Sequence, residues 1–184
     1  AYDRGKLMGV FAEDTAQHYQ FTREQQDAFA LASLTRAQQA NFKAEIAPLT
    51  IKDRKGELII TTDESPRTAK PEKIPTLKPV FREGGTVTAA NSSSISDGAA
   101  AAVMMRRSMA DKLGCPVLAT IRAHTSHAQQ PAWFTTAPVG AISKALEKTG
   151  WGAGEVDLYE INEAFAVVAM AAMREHNLPH EKVN

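Results

Sequence analysis

The segment Ile161-Asn162-Glu163-Ala164-Phe165 places a polar pair between two apolar stretches. Val156 to Ile161 is a strand candidate, and Ala164 to Met170 is apolar on every face, which predicts a deeply buried helix. In α/β proteins, ligands bind beyond the carboxyl ends of strands, where helix N-termini offer free N–H groups. Asn162 could therefore hold a water or a carbonyl oxygen, although local features favour a simple helix N-cap.

A second candidate is the small-residue loop from Gly84 to Gly98, whose serines offer hydroxyl groups. It matches neither the phosphate-cradling nor the dinucleotide glycine pattern. A flexible linker is the alternative, but the apolar flanks, Val80-Phe81 and Ala99 to Met105, favour a packed loop. The second flank is ambiguous, because its alanines favour a helix while a short apolar run also suits a buried strand.

Cys115 is the single cysteine, so no intramolecular disulfide is possible and nothing requires an oxidising compartment. We expect a cytoplasmic location. It precedes Pro116 and an apolar stretch, which indicates a small buried hydrophobe rather than a reactive thiolate. His124 and His127 lie three residues apart, but on an extended segment without a third ligand. We therefore expect no metal site.

Three further helices are predicted, two in the first part of the chain and one in the second. Phe11 to Tyr19 is a short helix candidate, and Thr22 with Gln25 forms a capping box that begins another. In the latter, helical spacing predicts one face from Ala28, Leu31, Ala32, Thr35 and Phe42. Pro138 and Gly150 bound a third helix, whose apolar stripe is Val139, Ile142 and Leu146.

The middle of the chain is less regular. Leu49 to Ile51 and Leu58 to Thr61 flank the turn residues Asp53 to Gly56, which predicts a β-hairpin. Alternating hydrophobicity predicts a half-buried strand from Val117 to Ala123. Closely spaced prolines exclude a long helix over one stretch and are interleaved with basic residues, as in a solvated loop: Pro66, Pro71, Pro75 and Pro79, with Arg67, Lys70, Lys73, Lys78 and Arg82.

The composition excludes several classes of protein. The 184 residues include 21 basic and 21 acidic side chains, so the formal net charge is 0, and 43% are hydrophobic. Without a basic excess there is no whole-chain footprint for nucleic acid. No stretch reaches the roughly 18 apolar residues of a membrane span. We expect neither a nucleic-acid nor a membrane partner.

Taken together, several segments resemble the thiolase family, and within it the acetyl-CoA acetyltransferase branch. The resemblance covers essentially the whole chain, and its most specific element is Asn162-Glu163-Ala164-Phe165. Leu7 departs from the pattern, because biosynthetic members usually carry His there. The other matching segments are Met8-Gly9, Thr22 to Ala30, Leu77 to Phe81, Gly85 to Ala89 with Asn91, Ser96 to Ala101, and Pro138 with Gly140.

The resemblance implies a partial thiolase-like α/β fold, in which an inserted loop domain accompanies the start of the C-terminal half. Residues 1–92 would be the loop domain that binds coenzyme A. Residues 93–114 would end the N-terminal domain, which makes Ala99 to Met105 a strand. Residues 115–184 would begin the C-terminal domain.

The resemblance also implies the roles of particular residues. Asn162 would be the catalytic residue, anchoring a water in an oxyanion hole. The other residues would contact coenzyme A or its acyl group: Arg67 at the nucleotide end with Phe81 nearby, Ala89 and Ser93 at the pantetheine, Phe134, Ala164 and Phe165 along its path, and Met8 beside the acyl group.

Coenzyme A and acetyl-CoA would be substrates, with no permanently bound cofactor, and the full-length protein would be a homodimer or homotetramer. The resemblance places the nucleophilic cysteine before Ala1, and the acid/base histidine and second cysteine after Asn184. We therefore expect the 184-residue chain alone to be inactive, with Cys115 in none of these roles. The alternative is a non-catalytic coenzyme-A-binding or oligomerisation module.

Overall fold

A computed structural model describes residues 5–54 and 56–184. Within them lie six α-helices, and none has the length and continuous hydropathy that a bilayer span requires. The helices are α1 (Met8–Tyr19), α2 (Arg23–Gln39), α3 (Ser65–Thr68), α4 (Arg107–Leu113), α5 (Ala137–Thr149) and α6 (Ala166–His176). Strands β1 (Leu49–Asp53) and β2 (Gly56–Ile60) form an antiparallel hairpin, and 3₁₀ segments cover Pro71–Thr76, Pro131–Thr136, Ala153–Glu155 and His180–Lys182.

Helix α6 forms the centre of the core. It packs against α1, α2, α5 and the 3₁₀ segment Pro131–Thr136. The predicted buried helix is confirmed, although it begins at Ala166 rather than at Ala164. An apolar helix needs neighbours on all sides, which explains why four elements surround it. Its buried residues are Ala166, Val167, Val168, Ala169, Ala171 and Ala172.

The predicted start of α2 is confirmed, but the predicted buried face is wrong. Thr22 Oγ1 accepts the Gln25 N–H at 3.2 Å, and Gln25 Oε1 accepts the Thr22 N–H at 3.0 Å. The helix instead buries Gln26, Asp27, Phe29 and Ala30, while the predicted positions are at most partly buried. Two of these buried residues, Gln26 and Asp27, are polar. A prediction based on the spacing of apolar residues does not identify buried polar residues.

The hairpin and the helix between Pro138 and Gly150 are both confirmed. Leu49 pairs with Ile60 and Asp53 with Gly56; Lys55 of the predicted turn lies outside the described residues. The prolines limit the following stretch to short helical segments, as predicted.

Three strand predictions are not met. Neither Ala99 to Met105 nor Val117 to Ala123 forms a strand or helix, and Val103 and Leu118 are 88% and 98% exposed. A strand requires a hydrogen-bonding neighbour, and the described part of the chain supplies none to these segments. Val156 to Ile161 makes a single parallel bridge, from Tyr159 to Val183.

Cys115 is exposed, so its predicted burial is wrong. Helix α4 ends at Leu113, and its C-cap Gly114 adopts the left-handed φ of +65°. The Cys115 N–H donates to the carbonyl of Ala110 at 3.0 Å, and the chain then continues as the exposed extended segment. The thiol therefore faces solvent instead of packing beneath a sheet.

The buried carboxylate of Glu13 on α1 fixes the beginning of the small-residue loop. Glu13 is 3% exposed and accepts the N–H groups of Thr86 and Val87 at 2.9 and 2.8 Å, and the Thr86 hydroxyl at 3.1 Å. Gly85 is required here, because a Cβ at this position would overlap Glu13 Oε1. From α2, Gln26 Nε2 donates to Thr86 Oγ1 at 2.8 Å.

The amide of Asn91 fixes the next part of this loop. Its Oδ1 accepts the Thr88 N–H at 2.8 Å, and its Nδ2 donates to the Thr86 carbonyl at 3.1 Å. Val87 and Thr88 are fully buried, which confirms the packed-loop prediction for this part. The remainder of the loop, residues 94–98, is exposed.

Replacing Glu13 with alanine tests the importance of this contact. We expect Glu13→Ala to lower the free energy of unfolding by about 3 kcal/mol, because it leaves buried N–H donors without an acceptor. Urea denaturation measures the change. The exposed Glu45→Ala is the control and should stay within about 0.5 kcal/mol of the parent. Equal effects of the two substitutions would contradict the assignment.

Candidate functional site

Two segments that are distant in sequence pair directly at the N-terminus of α6. The Ser93 N–H donates to the Ala164 carbonyl at 3.0 Å, and the Ala166 N–H donates to the Asn91 carbonyl at 2.9 Å. Ser92 and Phe165 thereby form an antiparallel bridge. This pairing brings three of the predicted site residues together, namely Ser93, Ala164 and Phe165.

Asn162 lies in a turn just before this pairing. The turn is closed by the Ala164 N–H, which donates to the Asn162 carbonyl at 3.0 Å. The N-cap of α6 is Phe165, not Asn162, so the simple capping interpretation of Asn162 is wrong. Its side chain is exposed, which leaves the amide available to bind an oxygen atom.

Two cavities meet at Glu160, Ile161 and Asn162, which line both of them. The first has a volume of about 660 Å³ and a mostly polar lining that includes Ser33, Ser93 and Glu163. The second, of about 520 Å³, is mainly apolar and is lined by Phe134 and Ala164, among others. Asn162 therefore lies at the boundary of the two cavities.

Phe81 lies between Phe165 and helix α1. Its ring contacts the Phe165 ring edge to face, with centroids 6.1 Å apart. Gly9 is required beneath it, because a Cβ there would overlap the Phe81 ring. Met8, the neighbour of Gly9, begins α1 and is 57% exposed.

Two predicted residues lie apart from these contacts. Arg67 is exposed on α3, which packs against α2. Ala89 is exposed in the turn that Asn91 closes. Neither residue lines the two cavities described here.

His127 forms part of the wall of the apolar cavity. Its Nε2 lies 3.2 Å from Gln129 Oε1, while the Gln129 amide donates to the Trp133 carbonyl and, at 2.7 Å, to Thr136 Oγ1. The Trp133 carbonyl can only accept, so the Gln129 amide nitrogen faces it and Gln129 Oε1 faces His127. Because Gln129 Oε1 can only accept, the His127 Nε2–H group is the donor of this hydrogen bond. Among the described residues, no three His, Cys, Asp or Glu side chains are grouped as a metal site.

Glu163 is a functional candidate that the residue patterns did not identify. Its half-buried Oε1 accepts the Ser33 hydroxyl at 2.9 Å. Burial raises the pKa of the Glu163 carboxyl, and the Ser33 hydrogen bond and nearby Arg36 partly offset that rise. Its place in the Asn162-Glu163-Ala164-Phe165 motif is a sequence signal that could have identified it.

The family follows from comparison with known sequences. The thiolase N-terminal domain model matches residues 2–108, and the thiolase C-terminal domain model matches residues 115–184. The chain belongs to the thiolase family. The resemblance inferred from the sequence motifs is therefore confirmed.

Individual thiolases agree with this assignment. An acetyl-CoA acetyltransferase of Pseudomonas aeruginosa is 45% identical over 183 residues, covering 96% of this chain and 47% of the relative. The crystal structure of the Bacillus anthracis acetyl-CoA acetyltransferase matches with a TM-score of 0.94 and 41% identity, covering 99% of this chain and 48% of that chain.

A second similar crystal structure is described as a complex with coenzyme A. It is the Acat5 thiolase of Ascaris suum, with a TM-score of 0.88 and 35% identity over 97% of this chain and 47% of that one. The high structural similarity confirms the predicted partial thiolase-like α/β fold. The chain thus spans about half the length of these thiolases.

The pH dependence of stability tests the environment of Glu163. A raised pKa in the folded chain stabilises it at low pH, and this contribution is lost as the pH rises from the ordinary value of 4.5 through the raised one. Glu163→Gln does not titrate, so we expect its stability relative to the parent to increase between pH 4 and pH 7.

Urea denaturation across this pH range measures the difference. Glu147→Gln, at an exposed position on α5, is the matched control, and its difference from the parent should stay nearly constant. A Glu163→Gln difference that is independent of pH, or that changes in the opposite direction, would show that burial does not raise this pKa.

Proposed function

We propose that this chain is part of an acetyl-CoA acetyltransferase that condenses two acetyl-CoA molecules or cleaves a 3-ketoacyl-CoA with coenzyme A. The reaction proceeds through a cysteine acyl-enzyme, and we assign no part of that chemistry to the exposed Cys115. The observation that carries the proposal is the exposed amide of Asn162, on a restrained turn between two cavities. The sequence and structural likeness to acetyl-CoA acetyltransferases supports it.

In the proposed reaction, Asn162 stabilises negative charge on the thioester oxygen. Its side-chain N–H groups donate to a water, which in turn donates to the oxygen as the enolate forms. The turn hydrogen bond to the Asn162 carbonyl fixes the backbone before the reaction begins. A donor that is positioned in advance stabilises the developing charge without reorganisation during the reaction.

The coenzyme A site is proposed to follow the surface from α3 to the apolar cavity. Arg67 is proposed to bind the nucleotide phosphates. Its guanidinium is exposed and makes no ion pair among the described residues, which leaves it available for this contact. Arg82 in the same basic stretch is instead paired with Asp14. Phe81 packs near the nucleotide, and the exposed Ala89 and Ser93 contact the pantetheine.

The acyl group and the end of the pantetheine are proposed to occupy the apolar side of Asn162. Phe134 and Ala164 line that cavity. Phe165, which follows Ala164, and Met8 at the start of α1 are proposed to contact the same groups. We further propose residues 1–92 as the loop domain, 93–114 as the end of the N-terminal domain and 115–184 as the beginning of the C-terminal domain. The complete protein would be a homodimer or homotetramer.

Thiolysis of acetoacetyl-CoA tests the proposed reaction in a thiolase polypeptide that carries this chain. We expect Asn162→Ala to lower kcat by about 10² to 10³, the typical cost of removing one oxyanion donor. Asn41→Ala, in an exposed loop, is the control and should retain the parent rate. An Asn162→Ala rate within twofold of the parent would exclude the proposed role.

Calorimetry with coenzyme A tests the binding site in the chain itself. We expect Arg67→Ala to weaken binding about fivefold to tenfold, through the loss of an exposed charge-assisted contact that salt screens. With dephospho-coenzyme A the effect should become smaller if Arg67 contacts the ribose phosphate. Arg122→Ala, also exposed, is the control. Equal binding by the parent and both variants would contradict the assignment.

A further inference from the structure

The Glu163 carboxylate connects the Asn162 turn to α2. Ser33 on α2 donates its hydroxyl proton to Glu163 Oε1 at 2.9 Å, across 130 residues of sequence. Both side chains are half-buried and line the polar cavity, as does Asn162. The Asn162 turn is therefore attached to α2, and no residue of α2 lines the apolar cavity.

Helix α2 also contacts the segment from His180 to Val183. The Arg36 guanidinium donates to the carbonyls of His180, at 2.8 Å, and Val183. The next residue, Asn184, accepts the Ile161 N–H through its backbone oxygen at 2.7 Å. Ser33 and Arg36 lie three residues apart, on one face of the helix, so one rigid element restrains the turn directly and through its neighbour.

The direction of the Asn162 side chain depends on the conformation of the surrounding backbone. Ile161 is held on one side, and Ser93 binds the Ala164 carbonyl on the other. Between them, Ser33 donates its hydroxyl proton to Glu163, which is a side-chain hydrogen bond to the turn itself. A rotation of the Glu163 backbone would also redirect Asn162.

We propose that Ser33 and Glu163 form a positioning pair that orients Asn162 towards the reacting oxygen. The proposal rests on the function proposed above for Asn162. Glu163 acts as a hydrogen-bond acceptor in this role, so a glutamine can replace it while an alanine cannot. Likewise, threonine at position 33 retains the hydroxyl, and alanine removes it.

A double-mutant cycle in acetoacetyl-CoA thiolysis tests the proposal. We expect Ser33→Ala and Glu163→Ala each to lower kcat about tenfold with little change in KM, because misplacement of a catalytic group affects the chemical step. Glu163→Gln and Ser33→Thr should stay within about threefold of the parent. Ser143→Ala and Glu147→Gln, both exposed on α5, are the matched controls and should retain the parent rate.

The Asn162→Ala background separates positioning from a general loss of structure. If Ser33 acts through Asn162, adding Ser33→Ala to Asn162→Ala should lower kcat less than twofold. An equal tenfold loss in both backgrounds, or no loss in either, would overturn the positioning role while leaving the proposed function intact. A parent enzyme without thiolysis activity would overturn the proposed function, and the positioning role with it.

Discussion

The buried carboxylate of Glu13 determines where the small-residue loop can lie. A charged group 3% exposed must have hydrogen-bond partners, and here the backbone N–H groups of Thr86 and Val87 supply them. The loop then closes over Val87 and turns at Asn91, whose carbonyl accepts the first N–H of α6. Glu13 on α1 thus restrains the beginning of the loop, and the loop in turn contacts the N-terminus of the central helix.

The candidate site is assembled from separate parts of the chain around α6. The loop contributes Ser93, the turn before the helix contributes Asn162, and α2 reaches the same turn through Ser33. Each part is held by backbone hydrogen bonds or half-buried polar contacts rather than by apolar packing alone. The role proposed for Asn162 requires such an arrangement, because an oxyanion donor is effective when its position is fixed before the charge develops.

Features with a local physical cause could be predicted from the sequence. The capping box at Thr22, the hairpin after Leu49 and the buried apolar helix α6 depend on nearby residues. The strand from Val117 to Ala123 was not found, because a strand also requires a neighbour that no local pattern reveals.

Contacts between distant residues were missed for a related reason. Glu13 accepts hydrogen bonds from residues 86 and 87, and Glu163 accepts one from Ser33. Neither interaction produces a periodic pattern in the sequence. The family motif identified Asn162 as the residue of interest, but the contacts that restrain its turn became evident only in three dimensions.

Amide hydrogen exchange of the unmodified chain tests most directly whether the loop and the start of α6 form one unit. The relevant amides are those of Thr86, Val87, Thr88, Ser93 and Ala166, whose acceptors link the loop to the helix. Residues that open together exchange with a common free energy of opening. We predict that these amides are protected to a similar degree and much more than the exposed residues 94–98. Rapid exchange of Thr86 and Val87 beside a protected Ala166 would contradict the account.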